Sequence, residues 1–156
     1  MKAGAVIGIA IGIFAAFGTA RAAPRGGLSV PADQVVAARR AAMAMSGVTL
    51  AALKAQAGAE DLKRAGFPAR GLDAWAKALP GMFPPGSDMT SSEALPAVWA
   101  DRAGFDAAAR SFVTATAALA PAISANDKAA YTAALDQVDK TCSACHDKYR
   151  KPREKR

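Results

Sequence analysis

Apolar side chains near the end of the chain recur with the period of a helix. Tyr131, Leu135, Val138, Cys142, Cys145 and Tyr149 follow one another at steps of 4, 3, 4, 3 and 4, which places them along a single stripe. The helix that carries them begins near Asn126 or Asp127 and reaches about Lys151, where Pro152 closes it. A second stripe, Val98, Arg102, Phe105, Ala109, Phe112, Thr116 and Leu119, predicts a helix from about Ser92 or Leu95 to Ala120, stopped by Pro121. Toward the N-terminus, Ser29 followed by Pro31 opens an alanine-rich helix that extends to about Ala57, with Gly58 to end it. A weaker helical stretch then runs to Leu79, interrupted around Gly66-Phe67-Pro68 and Gly71, so it is expected to be bent or split. Pro80 to Ser87 is the longest loop signal. No alternating strand pattern and no internal repeat stands out, and four helices with short connections predict an all-α four-helix bundle.

Two of the stripe positions are cysteines, and they change the picture. Cys142-Ser143-Ala144-Cys145-His146 is a C-x-x-C-H sequence, the pattern of covalent haem attachment. Each thiol can add to a haem vinyl group, and the adjacent imidazole can bind the iron. These five residues hold both cysteines and the only histidine of the chain. A structural zinc site needs four N or S ligands, usually from two clusters, whereas this chain offers three and no second cluster. A thioredoxin-like redox pair belongs near a βαβ pattern, which is missing here. A plain disulfide between residues three apart on a helix has poor geometry. With both sulfurs on the apolar stripe, the haem is expected to form part of the core between helices. His146 lies beside that stripe and can turn toward the iron.

The other end of the chain speaks to compartment. Lys2 precedes an uncharged apolar run from Ala3 to Ala16, followed by Ala20-Arg21-Ala22. This predicts a secretory signal peptide over residues 1–22, cut after Ala22, and a domain over residues 23–156. The run is short for a membrane span, contains Gly4, Gly8 and Gly12, and no second apolar segment is read after it. The expected location is therefore periplasmic, with no membrane span after cleavage.

Charge adds little to the functional reading. The leader removes two of the 20 bases and none of the 13 acids, so the mature chain carries +5. From Asp147 to Arg156 six bases face two acids, a local +4, and the remainder is close to neutral. The basicity describes a tail whose cations suit a helix C-terminus, and no nucleic-acid partner is expected.

The C-terminal haem motif followed by Tyr149-Arg150, the Leu79-Pro80-Gly81-Met82-Phe83-Pro84 segment, Trp99 with Phe105, and Arg39-x-x-x-Met43 in the first helix together resemble the class II c-type cytochromes, which comprise cytochrome c′ and its low-spin, methionine-ligated relatives. The resemblance spans essentially the whole mature chain. It implies an antiparallel, left-handed four-helix bundle with one covalently bound haem c, often a homodimer through helices one and two. It also implies that Cys142 and Cys145 carry the haem, that His146 is the proximal ligand, that Arg150 lies by a propionate or the proximal imidazole, and that Met43 occupies the distal position.

Two functions follow from the two branches of that family. If Met43 ligates the iron, the protein is a periplasmic electron carrier serving redox partner proteins. If Met43 only packs, the iron is five-coordinate and takes nitric oxide or carbon monoxide. Gly47, one turn on, favours ligation because a small residue there lets the haem approach. Met45 is expected to face away from Met43, and Met82 and Met89 to sit in or near the loop. Arg39 is expected as an exposed side chain or a propionate partner. With no second histidine, carboxylate pair or serine-base arrangement beside the haem, no enzymatic activity is expected.

Overall fold

A computed structural model describes residues 30–152. The predicted signal peptide and the last four residues of the basic tail lie outside these described residues. Four helices dominate: α1 (Ala32–Ala55), α2 (Gly66–Ala78), α3 (Arg102–Ala117) and α4 (Lys128–Tyr149). They form the expected antiparallel four-helix bundle, all-α among the described residues apart from an isolated bridge between Ala94 and Arg150. α4 packs chiefly on α3, α3 on α2 and α2 on α1, whereas α1 and α4 touch only sparsely.

Both predicted stripes are the core. Tyr131, Leu135, Val138 and Tyr149 are buried on α4, with Cys142 and Cys145 half-buried in the same line. Across from them Val98, Phe105, Ala109, Phe112, Thr116 and Leu119 are buried, and Arg102 is half-buried. The rings of Phe105 and Tyr149 meet edge-on at 5.4 Å, and those of Phe83 and Phe105 at 4.9 Å, a favoured arrangement of aromatic pairs.

Several boundaries differ from the sequence expectation. The third helix does not run unbroken from Ser92 or Leu95 to Ala120. A short turn, Ala97–Ala100, ends at Asp101, whose backbone leaves the helical region at φ −115° and ψ 58°. Asp101 Oδ1 then accepts the Gly104 amide at 3.1 Å and caps α3 afresh. Nor does Pro121 stop the helical path. It falls in the first turn of a further short helix, Leu119–Ser124, where its missing N–H is not needed. The second helix is split as expected, a 3₁₀ turn (Leu62–Ala65) preceding α2. Asn126, in the left-handed region at φ 51°, ties the two inter-helix connections together: its Oδ1 accepts the Leu62 amide and its Nδ2 donates to the Glu60 carbonyl, both at 3.1 Å.

α1 also departs from the reading that no apolar segment follows the leader. By length and composition alone this helix of 24 residues is apolar enough to cross a membrane, with a mean hydropathy of 1.2 in its most apolar window. Here it is one wall of the bundle, with Val36, Arg39, Leu50 and Leu53 buried and much of its remaining surface open.

Candidate haem site

Two cavities lie in the space left where α1 and α4 stand apart. The larger, about 1230 Å³, is walled by Phe83, Val98, Phe105 and Tyr149, with Arg39, Arg40, Arg150 and Lys151 along it. The smaller, about 360 Å³, is walled by Leu72, Trp75, Leu79, Phe112 and Val138 together with Cys142. Met43 from α1 and Cys145 and His146 from α4 border both. The fold thus brings together the residues that the sequence singled out 99 and more positions apart, from Met43 to Cys142 and beyond.

The chemistry of this space suits a flat apolar macrocycle with acidic side chains. Cys142 and Cys145 are not joined to each other. Burial raises the pKa of both thiols above the ordinary value; for Cys142 the Asp139 carboxylate adds to this and Lys54 opposes it. Both groups are therefore held as neutral thiols, one helical turn apart, facing apolar walls. Among the described residues no group of three or more His, Cys, Asp and Glu side chains is placed to hold a metal ion. Arg150 is half-buried and its Nε has no hydrogen-bond partner, as does the buried Nε1 of Trp75. A buried unpaired N–H is costly unless something accepts from it, and a haem propionate is such an acceptor.

Arg39 requires a correction. It is not an exposed side chain but is 3% exposed. Its Nη1 donates to the Met82 carbonyl at 3.2 Å and to Ser87 Oγ at 2.8 Å, and its Nη2 to the Ser87 carbonyl at 2.6 Å and to Ser92 Oγ. The guanidinium also lies 4.6 Å from the Phe83 ring centre and 5.8 Å from that of Trp99, within cation–π range. Burial lowers its pKa from the usual arginine value. Arg39 lines the larger cavity, yet most of its donors are engaged by the loop.

The methionines sort by exposure. Met43 is half-buried in the core, Met45 is 60% exposed and Met89 39%. Gly47 lines the smaller cavity, where an added Cβ would meet nothing within 4 Å.

Sequence reasoning passed over Ser87, Ser92, Trp75 and Lys151. The only local hint was the run of serines after Pro84-Pro85-Gly86, which reads equally well as a solvated loop.

The fold and the site together define a class II c-type cytochrome. A family model described as Cytochrome C′ matches residues 34–150, and the chain belongs to this family. A cytochrome c′ of Cereibacter sphaeroides is 33% identical over 136 residues, covering 83% of this chain and 91% of the relative. The cytochrome c′ of Rubrivivax gelatinosus is 44% identical over 69 residues, 44% of this chain and 54% of the relative's length. Its crystal structure superimposes over 77% of this chain and 97% of that chain, with a TM-score of 0.71 and 31% identity. A nitric oxide complex of a cytochrome c′ variant from Alcaligenes xylosoxidans matches with a TM-score of 0.72 and 25% identity, covering 80% of this chain and 99% of that one. The cofactor is one covalently bound haem c.

Proposed function

We propose that this protein is a periplasmic, five-coordinate haem protein that captures a diatomic gas, nitric oxide or carbon monoxide. When bound, the haem would supply an iron able to take such a ligand. Cys142 and Cys145 would hold the macrocycle through thioethers, His146 would ligate the iron, and the unpaired Nε of Arg150 would meet a propionate. Met43 stands on the opposite wall as an apolar filter. The observation that carries this reading is the apolar setting of Met43, half-buried against the core beside the space that receives the haem. Small neutral ligands enter such a space at little cost, whereas polar or charged ones lose their hydration unreplaced.

The reading of Met43 as a ligand in an electron carrier has less behind it, since the relatives compared above are cytochromes c′. A binding protein also accounts for the site better than an enzyme, because the one histidine is assigned to the iron and no second imidazole remains for acid–base work. Residues 1–22 read as an export signal and residues 23–156 as the working domain. The exposed apolar side chains Met45 (60%), Val48 (62%) and Phe67 (80%) on α1 and the start of α2 support docking of a second copy.

Visible spectra of the purified ferric and ferrous protein test the assignment. High-spin bands, with a shift of the ferrous spectrum on adding carbon monoxide, are expected. Low-spin bands in both redox states would return the assignment to electron transfer.

A further inference from the structure

The helix bearing Met43 and the helix bearing His146 barely touch, so something else must set their separation. The segment Ser87–Leu95 lies between them at one end of the larger cavity. On its α1 flank, Arg39 donates to the Ser87 carbonyl and hydroxyl and to the Ser92 hydroxyl, and Arg40 Nη1 donates to the Ser91 carbonyl at 3.2 Å. On its α4 flank, the Leu95 amide donates to the Tyr149 carbonyl at 2.9 Å, the Lys151 amide to the Glu93 carbonyl at 2.8 Å, and Lys151 Nζ to the Ser92 carbonyl at 2.7 Å. Ser92, 2% exposed, is the node where the two flanks meet: its hydroxyl takes Arg39 and its carbonyl takes Lys151.

We propose that Arg39 is a positioning residue which, through Ser92 and Lys151, sets how closely Met43 stands to His146 and hence to the iron. Arg39 is suited to this because the planar fork of its guanidinium makes three hydrogen bonds to this segment and a fourth to the Met82 carbonyl, leaving one of its five N–H groups for anything else. Met43 follows one turn later on α1, so a shift of the Arg39 turn is carried to it along the helix. The tie therefore controls the room beside Met43 without any of its members touching the ligand. The inference rests on the reading that Met43 faces the iron.

The test uses the holoprotein. Ser92→Ala removes the hydroxyl that Arg39 grips while leaving Arg39, Met43 and every residue assigned to the haem in place, and Lys151→Ala weakens the other flank by removing its one side-chain bond, from an exposed residue. Hydrogen exchange at the Leu95 and Lys151 amides reports the tie itself, independently of the iron. Faster exchange is expected for both variants, with a change of about threefold or more in the rate of carbon monoxide association. In a Met43→Ala background the same substitutions should leave the association rate unchanged, because the group they position has gone. Faster exchange with an unaltered association rate, or an equal rate change in both backgrounds, would overturn the proposal. If the native iron proves low-spin, the gas-binding reading fails separately. The tie is then read as a partial shift to high spin in Ser92→Ala, and an unshifted spectrum would overturn it.

Discussion

The phenol of Tyr149 donates to Oδ2 of Asp101 at 3.1 Å, fastening the last turn of the haem-motif helix to the N-cap of α3. Lys148 Nζ reaches the same oxygen at 2.6 Å, while the other carboxylate oxygen caps α3 through the Gly104 amide at 3.1 Å. The two helices that pack most extensively are thus joined by one carboxylate, which Tyr149 grips from three residues beyond His146. A Cβ on Gly104 would run into that carboxylate, so the cap requires glycine there.

This arrangement predicts an acid-sensitive link. The hydrogen bond from Lys148, then those from the Gly104 amide and the Tyr149 phenol, lower the pKa of Asp101 from the ordinary carboxylate value. A depressed folded-state pKa contributes stability that is present above the unfolded value and is lost as pH falls through the folded one. Asp101→Asn should therefore lower the melting temperature at neutral pH, and the gap to the native protein should close as pH drops below about 4. Thermal denaturation at several pH values followed by circular dichroism checks this; a gap independent of pH would refute it.

Arg39→Met should destabilise the protein by about 3 kcal/mol or more, since Ser87 and Ser92 lose a charged donor in a buried setting. Arg39→Lys should fall between, because a single ammonium cannot reproduce the four-bond fork. Chemical denaturation of the holoprotein measures both, and equal stability of Met and native forms would show that the loop is held by other means.

Covalent attachment predicts that haem survives denaturing electrophoresis. A band stained for haem peroxidase activity should appear, and Cys142→Ala or Cys145→Ala should weaken it. Complete extraction of haem from the native protein by acidified acetone would contradict the assignment.

Met43→Ala discriminates between the two branches of the family. With Met43 only packing, the ferric and ferrous spectra stay high-spin and carbon monoxide associates faster, because truncation widens the space beside the iron. Conversion from low to high spin would identify Met43 as a ligand. A low-spin protein that stays low-spin would exclude both and direct attention to Met82 or Met89.

Local signals in the sequence determined the helices and the haem motif. Burial on one face of a helix repeats every three or four residues, so the stripes ending in Tyr149 and Leu119 were legible without any knowledge of their partners. The same holds for Cys142, Cys145 and His146, whose chemistry lies within five positions. Tertiary structure alone decided the break at Asp101, where a side chain competes for the Gly104 amide, and the passage of the helical path through Pro121, which depended on a new helix starting at Leu119. It also decided the fate of Arg39, whose partners Ser87 and Ser92 lie 48 and 53 residues away. A guanidinium on an alanine-rich helix reads as solvated until a distant loop supplies enough acceptors to bury it. The space around Met43 is of the same kind: it exists because α1 and α4 are held apart, a distance set by contacts that no local pattern encodes.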